Sequence, residues 1–342
     1  MIGVPEEYLW RPLRPADGVE WERLVLAFDL DDRPVTETTA AEFAQTLASG
    51  KLVPERDTVG VFRDGLMVGF AAVLVDRTAQ GDWRCEMQGC VHPDHQRRGL
   101  GTRLLDWAHG RALARGATAT GQRREVRAWC AEHNGTHEKM LRRLGLRPTL
   151  WYYEIYSRLD QVSPLTPRAL PEGLRMVPYD PALDEEVRSA HNAAFVDQSE
   201  DGYVDRERWR RQFTGSPTFL PEMSLLVLDR DDAVRSYLLC YSFESGSPAP
   251  GQKDIYVGYI GTPPGMRGRS LYRSLLAEND RMAREAGYTG TAFSVNTANP
   301  TGALRLFEFL GVYDPRRDQR ACWVCYAKDI STPVVAAPEV AR

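Results

Sequence analysis

Lysine is nearly missing from this chain. Lys51, Lys139, Lys253 and Lys328 stand against 39 arginines in 342 residues. That bias, with abundant alanine and proline, is expected of a GC-rich coding sequence such as an actinobacterial one, and it carries no functional message. An excess of one charge is missing too. The net charge is −4 and acids are interspersed among the arginines, so no basic stripe offers itself to a nucleic acid. No apolar run reaches the roughly 18 residues that a membrane-spanning helix needs, and the N-terminus lacks a charged-then-apolar leader. A cytoplasmic protein without nucleic-acid or membrane partners is expected. Cysteine is sparse: Cys85, Cys90, Cys130, Cys240, Cys322 and Cys325 form no disulfide framework. The lone CxxC of Cys322 and Cys325 sits in the apolar run "ACWVCYA". With no second pair at zinc spacing, it reads as buried cysteine in a last strand. His133 and His137 are four apart, but Asn134-Gly135 interrupts a helix between them and no third ligand is apparent. No metal is expected.

What is present is a repeat. "QRRGLGTRLLDWAHGRALARGAT" (96–118) aligns without gaps on "RGRSLYRSLLAENDRMAREAGYT" (267–289) at an offset of 171. "EKMLRRLGL" (138–146) aligns on "LRLFEFLGV" (304–312) at an offset of 166, and "WRPLRPAD" (10–17) resembles "LRMVPYD" (174–180). Three blocks in the same order indicate a duplicated domain. The expected organisation is a first domain over 1–160, a proline-rich linker over 161–172, a second domain over 173–330 and a mobile tail over 331–342.

Each half reads as strand, helices, two strands, then strand–loop–helix, strand, helix. In the first half, residues 58–76 look like two strands around Asp64-Gly65, a hairpin signal. "WRCEMQGCV" (83–91) is a strand, and Leu104, Leu105, Ala108, Ala112 and Leu113 then recur at helical spacing. "VRAWC" (126–130) is a further strand, and "THEKMLRRLG" (136–145) a short helix stopped by Gly145. The fold class is α/β, a mixed sheet with flanking helices.

Between residues 91 and 112 the chain reads "VHPDHQRRGLGTRLLDWAHGRA". A strand, an arginine- and glycine-bearing loop and a helix make a phosphate-binding arrangement. The N–H groups of a helix's first turn lack intrahelical partners, and the helix dipole favours an anion there. Gly99 and Gly101 allow close approach of backbone to the anion. Arg97 and Arg98 add charge, and Thr102 is placed to cap the helix or to touch a phosphate. The spacing fits neither a Walker A loop nor a Rossmann GxGxxG.

The string Gln96-Arg97-Arg98-Gly99-Leu100-Gly101, with Val91-His92-Pro93 before it, resembles motif A of the GNAT superfamily of acyl-CoA-dependent N-acyltransferases, Gln/Arg-x-x-Gly-x-Gly/Ala. With "RPLRPAD" near the start and "LRRLGL" at the domain's end, the resemblance covers nearly the whole chain. The doubled form is similar to a tandem GNAT of the mycothiol synthase-like group. The resemblance implies acetyl-CoA as co-substrate and a small-molecule amine as acceptor, joined by direct attack of the amine on the thioester. It places a main-chain N–H near Val91 on the thioester carbonyl and the pyrophosphate on N–H groups of residues 97–102. It also places Asn134 on CoA. A tandem chain has its pseudo-dimer built in, so a monomer is expected.

The second half departs from motif A: Ser270 and Tyr272 replace the two glycines, while Arg267 and Gly268 remain. Either Tyr272 fills the pyrophosphate's space or Leu271 and Tyr272 are plain helix residues. The first half is therefore expected to hold CoA, the second to keep the fold and bind CoA weakly or not at all; the resemblance to the mycothiol synthase-like group implies the opposite assignment, with the second domain at work, and the altered loop speaks against it. The family's acidic tyrosine is replaced by Leu141 and Phe307; a thiolate leaving group makes a dedicated acid dispensable. Glu86 is the only acid on the strand before the loop and the candidate base, although the count favours Cys85 at that place; Asp254 and Tyr256 lie on the matching second strand. His92 and His95 are expected to be bystanders. Residues 191–213 correspond to the segment that covers the acceptor in this family, where Asp197, Glu200 or Asp201 would meet a cationic amine; taken singly, each reads rather as part of the solvated face of an amphipathic cover. The alternative is a non-catalytic acyl-CoA-binding or scaffold protein of the same fold.

Overall fold

A computed structural model describes residues 7–32, 39–77, 81–120, 123–160, 164–195, 203–242, 253–298, 308 and 319–331. The chain runs through β1 (Leu9–Arg11), α1 (Gly18–Asp32), α2 (Ala40–Ala48), α3 (Pro54–Asp57), β2 (Thr58–Arg63), β3 (Leu66–Arg77), β4 (Trp83–Val91), α4 (Leu100–Ala117), β5 (Arg124–Ala131), α5 (Gly135–Arg143) and β6 (Arg147–Arg158). It continues through β7 (Arg175–Pro178), α6 (Asp184–Ala194), α7 (Arg206–Gln212), β8 (Leu225–Leu228), β9 (Val234–Ser242), β10 (Asp254–Gly261), α8 (Leu271–Glu285), β11 (Gly290–Thr297) and β12 (Gln319–Asp329). The expected hairpin forms between β2 and β3. Asp64 and Gly65 take φ of 50° and 83°, the left-handed pair that a two-residue turn matching strand twist requires.

Two compact units result: Met1–Leu150 with Trp323–Arg342, and Trp151–Cys322. The repeat and the compact units divide the chain differently. The strand that ends the first repeat, β6, pairs antiparallel with β11 in the second unit, from Trp151 opposite Thr297 to Arg158 opposite Gly290. The strand that ends the second repeat, β12, pairs antiparallel with β5 in the first unit, from Trp323 opposite Ala131 to Asp329 opposite Glu125. Each unit is thus closed by the other repeat's last strand. Cys322 and Cys325 are buried thiols on β12, as read from sequence.

The first unit orders its strands β1-β2-β3-β4-β5-β12. Leu24, Val25, Phe43 and Leu47 of α1 and α2 bury themselves against Phe62, Met67, Phe70 and Cys90 on one face. On α4, Leu100, Leu104, Ala108 and Ala112 are buried at the four-residue spacing that keeps one helix face on the sheet. Below that helix Asp57, whose side chain is 1% exposed, takes Arg111 Nε at 2.6 Å and Arg115 Nη1 at 2.7 Å. The Val53 N–H adds a third bond at 2.7 Å.

The second unit orders its strands β6-β11-β10-β9-β8-β7. Leu275 and Ala283 of α8 pack with Leu238, Cys240, Ile255 and Val257 on one face. Val187, Trp209 and Phe213 of α6 and α7 pack with Leu239, Tyr237 and Tyr241 on the other. Residues of the proline-rich stretch belong to this unit and run along α8. The Leu165 N–H donates to Asp280 at 3.2 Å, Ser274 Oγ donates to the Arg168 carbonyl at 2.9 Å, and Leu170 packs against the α8 core.

Candidate active site

The parallel pairing of β4 with β5 is short. It runs from Trp83 opposite Arg124 to Glu86 opposite Arg127 and then stops. β4 continues to Val91 and β5 to Ala131, so the two strands part and leave a fork open toward the glycine loop. The other edge of β4 stays paired with β3 as far as Val91 opposite Gly69. His92 N–H donates to the Val68 carbonyl at 2.9 Å. Successive residues of a strand turn their N–H groups to opposite edges, so the Val91 N–H points into the fork. The Val91 carbonyl on that same edge accepts Gln96 Nε2 at 3.4 Å.

Beyond β4 the chain makes a tight turn over Pro93–His95, held by the His95 N–H on the His92 carbonyl at 2.8 Å. Tyr8 OH meets His95 Nδ1 at 3.1 Å and ties the turn to β1. Burial, and then the charge of Arg98, lowers the His95 pKa from its usual value. Arg97 and Gly99 follow with φ of 59° and 80°. Two left-handed residues one apart fold the loop back so that α4 begins at Leu100, itself 1% exposed and anchored in the core. The first helical bond closes from the Arg103 N–H to the Gly99 carbonyl at 3.2 Å. The N–H groups of Leu100, Gly101 and Thr102 precede it and have no partner within the helix. A Cβ at Gly99 would meet nothing within 4 Å, and one at Gly101 only Val91 Cγ2 at 3.8 Å. The space over this turn is open, as a phosphate seat requires. Arg98 Nη2 donates to the Asp94 carbonyl at 3.2 Å, which holds its charge at the loop.

Glu86 stands at the last rung before the fork. Its Oε2 accepts Arg127 Nε at 3.0 Å and its Oε1 accepts Gln88 Nε2 at 2.8 Å. Cys85 points to the α4 side, where Arg115, Asp57 and Arg111 are its charged neighbours and burial pushes its thiol up to about 12. Of the two, only Glu86 faces away from α4. Arg127 and Gln88 went unnoticed in the sequence; the signal was there, since a strand read over 126–130 puts Arg127 in reach of an acid on β4. Asn134 caps α5, its Oδ1 accepting the His137 N–H at 3.0 Å. Leu141 is fully buried in α5 and offers no proton. Phe307, Asp197, Glu200 and Asp201 lie outside the described residues.

The second unit repeats the geometry with altered chemistry. β10 and β11 pair in parallel from Asp254 opposite Gly290 to Val257 opposite Phe293 and then part. The loop keeps two left-handed residues, Gly268 at φ 79° and Ser270 at 60°. The glycine has moved from the second position to the first, leaving a Cβ where the other loop has none. Arg267 Nη2 donates to the Ala194 carbonyl at 2.9 Å, so this cation braces α6. Arg168 Nη1 lies 3.5 Å from Ser270 Oγ.

Comparison with known proteins agrees with this geometry. Residues 55–145 match the family model described as an acetyltransferase (GNAT) domain. A mycothiol acetyltransferase of Salinispora arenicola is 30% identical over 257 residues, covering 72% of this chain and 75% of the relative. One from Thermobispora bispora is 30% identical over 237 residues, covering 65% and 70%. Among solved structures, a GCN5-related N-acetyltransferase from Sphaerobacter thermophilus superposes with a TM-score of 0.69 at 24% identity, over 96% of this chain and 97% of that one. A tandem GNAT protein from the clavulanic acid biosynthesis pathway superposes with a TM-score of 0.64 at 17% identity, over 96% and 99%. The two structures speak for the fold alone, and the two relatives for descent. The match to the GNAT domain model and 30% identity over three quarters of such a relative make this chain a member of the GNAT family of N-acetyltransferases.

Proposed function

We propose that the chain moves an acetyl group from acetyl-CoA to the amine of a small molecule by direct attack, with CoA held mainly by the first unit. The observation that carries this reading is the fork between β4 and β5 leading to the loop 96–102. Acetyl-CoA supplies an activated acyl group on a thiolate leaving group. Gln96, Arg97, Arg98 and Gly99 shape the seat for its pyrophosphate. The N–H groups of Leu100, Gly101 and Thr102 supply the donors. The Val91 N–H, turned into the fork, is the donor for the thioester oxygen, where negative charge develops during attack. Asn134, three residues past β5 and the cap of α5, is the further contact proposed for CoA. The second loop's Ser270 Cβ and its engaged Arg267 support a lesser role in CoA binding there. The relatives' name puts mycothiol-related amines first among acceptors to try.

Titrating acetyl-CoA calorimetrically should show one site per chain. Gly101→Glu is the informative variant, because Gly101 is helical and its Cβ has room, so the fold is kept while a negative charge enters the seat. Affinity should fall about a hundredfold or more. Two equal sites would remove the assignment to the first unit, and no binding would leave a fold without its co-substrate.

Glu86 is the proposed proton acceptor for the amine. Both its oxygens already accept hydrogen bonds, so it is oriented before substrate arrives. Glu86→Gln should lower kcat by about a hundredfold and leave the acetyl-CoA affinity alone. An unchanged kcat would hand the proton to water.

A further inference from the structure

At the mouth of the first unit's fork stands a charge pair of which the reading above uses only the acid. Arg127 Nε and Nη2 both donate to Glu86 Oε2 at 3.0 Å. The two residues form the last rung of the parallel ladder, and β4 and β5 part beyond them. The Arg127 side chain is 17% exposed and that of Glu86 21%, so a ligand reaches both. One step back on the same face, inside the paired stretch, Arg84 meets Glu125 at 3.8 Å. The Arg127 charge also bears on Asp76 of β3, whose own hydrogen-bonded partner is Lys51 at 2.6 Å.

Two features set the last rung apart from the charges behind it. One side of it is open, because no backbone pairing continues between β4 and β5 past Glu86 and Arg127. Its other neighbour is apolar. Leu74 lies opposite Glu86 on β3, and this partly buried leucine packs on the α1–α2 core. A plain ammonium arriving here would be drawn to Glu86 and repelled by the Arg127 cation beside it. A molecule with an ammonium and a carboxylate on one carbon satisfies both charges at once. The guanidinium suits the second task, since its five N–H donors lie in a planar fork that takes a carboxylate bidentately.

We propose that the first unit's fork takes an α-amino acid with an apolar side chain as acceptor, its ammonium on Glu86, its carboxylate on Arg127 and its side chain on Leu74. The proposal deepens the acetyl-transfer reading of this fork and rests on it. The amine nitrogen bonds to the thioester carbon as the carbon–sulfur bond breaks. The nitrogen gives up two protons on the way from ammonium to amide. Glu86 passes one to solvent, and the other ends on the CoA thiol. Arg127 takes no part in these transfers. It holds the carboxylate and so sets which amine is presented.

Thiol release from acetyl-CoA by the full chain tests it, with L-leucine and L-leucinamide as the two amines. Leucinamide is the less basic amine and holds more of the reactive neutral form at neutral pH, so basicity alone favours the amide. Leucine should nevertheless have the higher kcat/KM, by about tenfold or more. Arg127→Met should raise KM for leucine by a similar factor and remove the preference. Arg127→Lys, which keeps a point charge without the fork, should reduce the preference several-fold and serves should Arg127→Met not fold. A merely structural Arg127 would lower both amines alike and leave the preference intact. Equal kcat/KM for the two amines, an undiminished preference in both variants, or no thiol release with leucine would overturn the proposal. Acetyl-CoA is titrated calorimetrically into the same samples. Its failure to bind would count against the acetyl-transfer reading itself, whereas binding, or transfer to leucinamide as fast as to leucine, leaves that reading standing.

Discussion

Asp57→Ala should cost the first unit about 3–5 kcal/mol, because it leaves two partly buried guanidinium groups facing an empty site. The carboxylate accepts from Arg111 at 2.6 Å, from Arg115 at 2.7 Å and from the Val53 N–H at 2.7 Å. The two arginines lie one turn apart on α4, with Arg115 also donating to the Lys51 carbonyl at 3.1 Å. Asp57 ends α3, so the triad clamps the long helix to the strand pair that begins at Thr58. α4 is also the helix whose first turn forms the phosphate seat, so a loosened clamp should loosen the seat. A chain of two units need not unfold in one step, so the local measurement is amide exchange of residues 100–117. Protection there should fall by about two to four orders of magnitude. Arg111→Ala should cost less, since Arg115 still meets the carboxylate. A loss of protection under tenfold in Asp57→Ala would show that packing of Leu104, Ala108 and Ala112 holds the helix without the clamp.

The second large effect is on acid stability. His191 is 1% exposed and packed among Phe195, Trp209, Phe213 and Tyr259, with ring centroids 4.8, 5.3, 4.9 and 5.5 Å away. Burial, and then the charge of Arg208, lowers its pKa to about 4. The ring is therefore neutral in the folded protein, with Nδ1 at 2.6 Å from Tyr237 OH. Above the ordinary histidine pKa of about 6.5, folded and unfolded chains both carry it neutral, and its contribution is fully present. As pH falls from there toward 4, the unfolded chain takes up the proton and the folded one does not. Stability then drops by about 1.4 kcal/mol per pH unit, some 3 kcal/mol in all. Carboxylates titrate in the same interval, so the readout is the difference between wild type and His191→Phe. Urea midpoints at pH 7, 6, 5 and 4.5 should converge as the pH falls. A constant difference across that range would mean that His191 charges within the fold.

The candidate site was legible where chemistry and backbone geometry coincide in a few adjacent residues. Gly99 was readable because a left-handed residue ahead of a helix calls for glycine, and Asp64-Gly65 for the same reason at a hairpin. Arg97, left-handed without being glycine, was readable only through the motif around it. Glu86 was found as the lone acid of its strand, but its partner Arg127 was not, because pairing across parallel strands depends on register. Asn134 drew notice as a CoA contact, and the structure adds a structural duty as the cap of α5.

The sequence by itself revealed the hairpin at Asp64-Gly65, the strand, glycine loop and helix over 83–117 and the altered loop of the second half; β6 was not read from it, and the helix expected over 304–312 lies, but for Glu308, outside the described residues. The features that were read lie in short spans whose periodicity and turn chemistry act locally. Only the tertiary structure decided which strand closes which unit. β6 and β12 are alike in being apolar, aromatic closing strands, and a strand's own residues give its faces but not its neighbour. That choice is made by backbone pairing between residues more than a hundred positions apart.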